Sequence, residues 1–275
     1  MRIGIVTDEI SPDIREAFSL GVSWGIRDFE FRTSNSGRVP FISDEDVQVL
    51  LSSKRDFGAT ITALSPGTFK IPVDDKAAVE RDLTEVLPAA IKLAHRLNVR
   101  LVITFGFLRS VGQEESEFGQ VVQILKKAAN LAEGEGITLA LENEPGFWAD
   151  SGRKTAKLLA AVNSKYLQAN WDPANALGVE NYPYPVGYEA LKRWIVNIHV
   201  KDAMKDSTLS CVPVGQGKIN WEGQLRALVK DGKLEHATIE THCLPLIEKS
   251  KLNVETLKRM LKKIQQEQSK QVTVA

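Results

Sequence analysis

The sequence predicts an α/β fold, a single (β/α)8 TIM barrel, on three observations. Its 275 residues suit one such barrel, which takes about 250. Eight short β-branched or apolar runs recur along the chain, and segments of helical periodicity rich in good helix formers stand between them. Strictly alternating strands and helices with short connections cross over in one hand, which lets the eighth strand close on the first.

The first strand is RIGIVT at 2–7, followed by Ser11 as a capping residue, Pro12 in the first turn and a helix that closes at Gly21. DFEFR at 28–32 is the second; Ser43 caps DEDVQVLL and Gly58 ends it. TITALS at 60–65 leads into DDKAAVERDLTEVLPAAIKLAHRLN, which stops at Asn98. RLVITFG at 100–106 precedes SEFGQVVQILKKAANLAEGEG, closed by Gly136, and ITLALEN at 137–143 precedes the helix that Ser151 opens, SGRKTAKLLAAVNS. LQANWD at 167–172, WIVNIHV at 194–200 and HATIET at 236–241 complete the set. The main irregularity is the segment 201–220, a length usually reserved for functional or mobile loops. The barrel is expected over residues 1–267, with 268–275 as a flexible tail.

Composition narrows the function classes. Hydrophobic residues are 43% and charged residues 25%, so a full core can be buried. Lys plus Arg and Asp plus Glu both total 35, without the basic excess that binding a phosphate backbone uses, which argues against nucleic acid as a partner. The opening MRIGIVTDEI is too short and too acidic for a signal peptide, and there is no run of about 18 apolar residues. A cytoplasmic protein with no membrane partner is expected. Cys211 and Cys243 fit no metal spacing and read as reduced thiols. Periodicity alone leaves a homo-oligomer open.

Four consecutive strands end in a potential metal ligand: Glu142 in LALEN, Asp172 in ANWDP, His199 in NIHVKD and Glu240 in TIETH, at intervals of 30, 27 and 41 residues. In a barrel the C-terminal strand ends converge on one mouth. Side chains alternate between the interior and the helix layer, so these four share the inward face with Ala140, Asn170, Asn197 and Thr238. Leu141, Trp171, Ile198 and Ile239 face outward. The outward set is large and apolar, as helix packing requires; the inward set is small or hydrogen-bonding, as support beneath a metal requires. Three carboxylates and an imidazole suit one divalent ion, Mn²⁺, Mg²⁺, Co²⁺ or Zn²⁺.

The runs LALENEP, NWDPANA, IHVKDA, VGQGKINW and ATIETH resemble those of the xylose isomerase-like TIM barrels of the sugar phosphate isomerase/epimerase group, which includes ketose epimerases, inosose-processing enzymes and hydroxypyruvate isomerases. The resemblance extends through about residue 265 of the sequence. It implies that Glu142, Asp172, His199 and Glu240 bind one divalent metal and that Glu142 and Glu240 are the proton-transfer pair. Many ketose epimerases carry a histidine three residues after the metal aspartate, where this chain has Asn175, and an arginine on the loop after the metal histidine, which is missing here before Gly215. The His-Val-Lys-Asp run is more similar to the inosose dehydratase branch.

The implied reaction is isomerisation or epimerisation of a sugar, sugar phosphate or cyclitol by proton transfer next to a carbonyl, through a metal-stabilised enolate. If a β-hydroxyl leaves from the enolate, the same site is a dehydratase, with Lys201 assisting the departure or holding a hydroxyl or phosphate. Further substrate-binding candidates are Asn175, Glu144 beyond Glu142, His242 beyond Glu240, and Glu30 with Arg32 at the end of the second strand. Trp148 and Phe107 read first as packing residues and second as sugar-stacking ones, His95 as a surface histidine, and Gly215 with Gly217 as a turn or a phosphate nest. The remote alternatives are a phosphodiester endonuclease on the same barrel, which would need more than the four histidines present, and a barrel that binds metal and sugar without catalysis.

Overall fold

The computed structural model describes residues 1–110, 112 and 115–274. In chain order the elements are β1 (Arg2–Val6), α1 (Ile14–Ser23), β2 (Asp28–Phe31), the short β3 (Thr33–Ser34) and β4 (Gly37–Arg38), α2 (Asp44–Asp56), β5 (Thr60–Thr68), α3 (Lys76–Arg81), α4 (Leu87–Leu97), β6 (Leu101–Phe105), α5 (Glu115–Gly134) and β7 (Thr138–Glu142). They continue with α6 (Gly152–Val162), β8 (Leu167–Trp171), α7 (Pro173–Ala176), α8 (Tyr188–Leu191), β9 (Ile195–Val200), β10 (Asp202–Ala203), β11 (Cys211–Val212), α9 (Trp221–Asp231), β12 (His236–Ile239) and α10 (Leu246–Val274). The strands β1, β12, β9, β8, β7, β6, β5 and β2 pair in that order around a closed barrel, every pair parallel. The expected (β/α)8 TIM barrel is the fold, and its eight strands are the eight runs read from the sequence.

Strand parity is as the sequence requires. Ala63, Ile103, Phe105, Ala140 and Phe147 form a small apolar cluster inside the barrel. Leu141, Trp171, Ile198 and Ile239 belong instead to the large core shared with the helices. Burying each of these side chains is worth about 1.5–3 kcal/mol relative to leaving it in water, so a slip by one residue would forfeit that along a whole strand. Trp171 also donates its indole N–H to Gln224 on α9 at 3.0 Å, which satisfies the one polar atom such burial would strand.

Most helix signals hold. Ser43 accepts from the Asp46 N–H at 3.1 Å and Ser151 from the Lys154 N–H at 3.3 Å, while Asn98 closes α4 in the left-handed region at φ 55. At α1 both expected ends move. The cap is Asp13, whose carboxylate accepts from the Glu16 N–H at 2.8 Å, and Ser11 sits one step further out, accepting from the Asp13 N–H. An ionised carboxylate is the stronger acceptor for a first-turn N–H. Gly21 does not end the helix: it lies inside α1 because the Phe29 ring packs where a Cβ would be, 2.6 Å from that position. Residues 201–220 are not a plain loop, since β10 and β11 pair antiparallel within them. The expected tail from 268 continues α10 as far as Val274, and Ala275 lies outside the described residues. Among the described residues no helix is long and apolar enough to cross a membrane.

Candidate metal centre

Glu142 ends β7, Asp172 follows β8, His199 is the penultimate residue of β9 and Glu240 follows β12. All four are buried at the barrel mouth, and one ligand atom from each can be chosen so that all lie within 4.8 Å of one another. The β-strand period thus gathers groups separated by up to 98 residues, from Glu142 to Glu240, into one coordination-sized space.

Each candidate ligand is held by its own local chemistry. Asp172 caps α7: Oδ1 accepts from the Ala174 and Asn175 N–H groups at 2.8 and 3.0 Å, which turns Oδ2 toward the cluster. That Oδ2 is buried and makes no hydrogen bond, although Lys201 Nζ lies 2.9 Å away as an ion-pair partner. Asn143 bonds the Asp172 backbone on both sides, donating to its carbonyl at 2.7 Å and accepting from its N–H at 2.9 Å. Asn170, beneath the cluster, donates to Glu142 Oε2 at 3.1 Å, and Asn175 donates to Glu142 Oε1 at 3.4 Å and to the Asn143 carbonyl at 3.0 Å.

His199 is oriented from below. Its Nε2 lies 3.0 Å from Glu30 Oε2, both side chains only 1% exposed, while Nδ1 faces Glu142 at 3.3 Å and Glu240 at 3.6 Å. Asn197 donates to the same Glu30 oxygen at 3.2 Å. An Nε2–H bound to Glu30 leaves the Nδ1 lone pair for an ion, the carboxylate–histidine–metal arrangement. Glu30 therefore stands under the imidazole and Arg32 stands apart from it. The Arg32 guanidinium spans Asp8 at 2.9 Å, Glu9 at 2.8 Å and Glu240 Oε1 at 2.7 Å. Lys201 takes the other Glu240 oxygen at 2.8 Å.

These charges set the protonation states. Burial raises the pKa of Glu142 and Glu240, but His199 on the first and Lys201, His242 and His199 on the second outweigh it, so both lie below the ordinary carboxylate range, Glu240 well below. Asp172 goes the other way: burial, only partly offset by Lys201, raises it. Burial would lower His199, yet Glu30, Glu142 and Glu240 together lift it well above its ordinary value, and Asp172 and Glu240 do the same for the buried Lys201 ammonium. The donor set of carboxylates and one imidazole, the unbonded buried Asp172 oxygen and the excess of buried negative charge fit a divalent cation.

The other sequence candidates lie around this centre. Glu144 pairs with Lys70 at 2.9 Å. His242, 41% exposed, lies 3.0 Å from Glu9 and 3.4 Å from Glu240. Phe107 and Trp148 are buried in the core, where packing is their role. His95 is a surface residue paired with Glu135 at 3.1 Å. The turn at Gly215 and Gly217 is not free for phosphate, because the Asp202 carboxylate already accepts the N–H groups of Gly215, Gly217 and Ile219 at 2.8, 3.1 and 3.1 Å. Sequence reading missed Glu9, 1% exposed, and Asp8, Asn143 and Arg38. The acidic pair after β1 was the available signal, at a strand end like the four ligands.

Comparison with known proteins follows the same lines. No curated protein sequence matches the chain. Among solved structures, it is similar to the probable 3-DHS dehydratase AsbF from Bacillus anthracis, at 18% identity and TM-score 0.78 over 94% of this chain and 99% of that one. It is similar to an L-ribulose 3-epimerase at 17% and 0.80, over 98% and 97% of the two chains. An IolI protein with a bound zinc atom matches at 18% and 0.79, over 96% and 98%. At these identities the likeness is one of fold. The match that reaches the family is that of residues 18–264 to the family model, which takes in all four clustered ligands and seven of the eight barrel strands, and by it the chain belongs to the xylose isomerase-like TIM barrel family.

Proposed function

We propose that the protein is a divalent-metal-dependent isomerase or epimerase of a sugar, sugar phosphate or cyclitol, moving a proton on the carbon next to a carbonyl. The observation that carries this is the cluster itself: four ligand atoms within 4.8 Å, two of them from glutamates that can also transfer protons. Glu142, Asp172, His199 and Glu240 would hold the ion, whose contribution when bound is Lewis-acid stabilisation of the negative charge that develops on a carbonyl oxygen.

The chain's own residues supply the rest. Strands β7 and β12 flank the β8–β9 pair, so Glu142 and Glu240 approach a substrate from different sides, one to abstract and the other to return a proton. Both stand deprotonated at rest, for the reasons given above, so in an isomerisation the glutamate that abstracts holds the proton to be returned, and an epimerisation first needs the opposite glutamate to take a proton from solvent. Arg32 and Lys201 grip the two Glu240 oxygens and fix its direction. Lys201, held protonated, is a fixed positive charge for a substrate oxygen rather than a proton carrier. Among similar folds, the L-ribulose 3-epimerase supports this reading.

A dehydratase reading rests on Lys201 and Asn175. A permanent cation between Asp172 and Glu240 can stabilise a departing hydroxyl, Asn175 stands where ketose epimerases have a histidine, and a probable dehydratase shares the fold. One experiment tests both. Candidate ketoses and inososes are incubated in deuterated water with Mn²⁺, Mg²⁺, Co²⁺ or Zn²⁺, following exchange by NMR and enone formation by ultraviolet absorbance. Exchange without absorbance supports the isomerase, absorbance supports the lyase, and neither across a broad panel sinks both.

A further inference from the structure

Three cations at the mouth are paired with carboxylates. Lys201 lies against Asp172 and Glu240, Arg32 against Asp8, Glu9 and Glu240, and Lys70 against Glu144. Arg38 has no carboxylate partner among the described residues. It sits on β4, where the ribbon with β3 folds it back from Arg32, its backbone opposite Thr33.

Its guanidinium is nonetheless fixed. Nε donates to the Ser65 carbonyl at 3.1 Å and Nη2 reaches Ser65 Oγ at 3.5 Å, which lays the group along the C-terminal half of β5. Gly67 makes the room, since a Cβ there would lie 3.2 Å from Arg38 Cζ, and its φ of +80 disfavours any other residue. Arg38 is exposed as a whole, yet protein crowds the charged end. Burial and then repulsion from Arg32 lower its pKa, and Asp8, Glu142 and Glu240 act on it too weakly to offset this. Nη1 makes no hydrogen bond among the described residues, so the end of the fork is open.

The location matters as much as the charge. In the barrel order, the β2–β5 pair lies across the mouth from the β8–β9 pair that presents Asp172 and His199. A small molecule with its carbonyl at the cluster would extend toward Arg38. An arginine fork held at its Nε side and open at its end suits bidentate contact with a carboxylate or phosphate.

We propose that Arg38, seated on Ser65 and Gly67, is the anchor of an anion subsite, so that the substrate carries a carboxylate or phosphate remote from its reacting carbonyl. This rests on the isomerase or epimerase reading above and narrows its substrate class.

The test uses a matched series of a neutral ketose, its terminal phosphate and its terminal carboxylate, with the metal-loaded wild type, Arg38→Met and Arg38→Lys. Deuterium exchange in the wild type favours one anionic member over the neutral one, and which member it is identifies the anion. Arg38→Met lowers kcat/KM for that member, relative to the neutral ketose, by about 10- to 100-fold, mainly through KM. Arg38→Lys recovers only part, because a lysine has charge without the fork. A second measurement, independent of turnover, follows inorganic phosphate and acetate binding to the metal-free proteins by NMR. Binding that requires Arg38, with no exchange of any ketone, supports the subsite and defeats the reaction assigned above. Exchange whose anionic preference is absent or survives Arg38→Met, with anion binding equal in both proteins, overturns the subsite and leaves the reaction standing.

Discussion

Replacing Glu30 with Gln should weaken metal binding without touching a ligand. The carboxylate lies 3.0 Å from His199 Nε2, with both side chains 1% exposed, so little solvent screens the contact. Glutamine keeps an acceptor for the Nε2–H but removes the charge that makes the imidazole a better donor to an ion. Losses for such supporting groups run about 10- to 100-fold, which corresponds to about 1.4–2.8 kcal/mol. The metal-free protein has an opposing effect: His199 is lifted well above its ordinary pKa against burial by Glu30, Glu142 and Glu240, so an ion must displace a proton. Wild-type affinity therefore rises with pH until His199 loses that proton, and in Glu30→Gln this rise ends at a lower pH. Comparing affinities on the alkaline side removes the proton competition and leaves the donor effect alone. The assay is competition with a chelator across a pH series for wild type, Glu30→Gln and His199→Ala. If Glu30→Gln matches wild type within twofold in affinity and in pH profile while His199→Ala has lost the ion, the assignment of Nδ1 to the metal and Nε2 to Glu30 is wrong.

Lys201→Met should separate binding from chemistry: with the ammonium gone from beside Asp172 and Glu240, ion affinity is kept or raised, while deuterium exchange falls about 100-fold through loss of a fixed charge beside the developing negative oxygen. Equal loss of both in titration and exchange assays would contradict that division. Asp202→Asn replaces a carboxylate that accepts from four backbone N–H groups, those of Ala203, Gly215, Gly217 and Ile219. It should cost about 2–4 kcal/mol in urea unfolding and speed amide exchange over 211–219; unchanged protection there counts against it. His236 carries a pKa lowered by burial, only partly opposed by Asp28, and its Nε2 has no hydrogen-bond partner. Its contribution is fully present above the unfolded value of 6.5 and is lost as pH falls toward the folded one, at up to about 1.4 kcal/mol per pH unit. The fall in stability between pH 7.5 and 5.5 should therefore shrink in His236→Gln, and equal slopes for the two proteins would refute this.

The barrel was legible because its signals are local and periodic. A strand with alternating faces needs large apolar residues on the helix side, and Leu141, Trp171, Ile198 and Ile239 meet that need without reference to the rest of the chain. The N-terminal end of α1 was misplaced for an equally local reason. Ser11 with Pro12 and Asp13 offers two capping groups two residues apart, and the choice depends on which N–H groups the turn presents. Gly21 looked like a stop because its real partner, Phe29, is on the next strand.

The four clustered side chains were legible because each stands on the inward face near the C-terminal end of one of four successive barrel strands, so one rule of topology places them all. Their supports follow no such rule. Glu30 shares a face with Arg32 by parity, and that common face suggested a common use. The two are separated by depth along β2, one under the imidazole and the other at the rim, which strand spacing alone does not assign to different partners. Arg38 left still less trace, since it stands in a two-residue ribbon and owes its place to Ser65 and Gly67, some thirty residues away in the sequence. What periodicity reveals in this chain is therefore the part of the site that four successive strands repeat. On the proposed reading, substrate selection rests on the connections above β2 and β5, where each residue is placed by contacts of its own, and variants there should change what is bound without altering metal binding at the cluster.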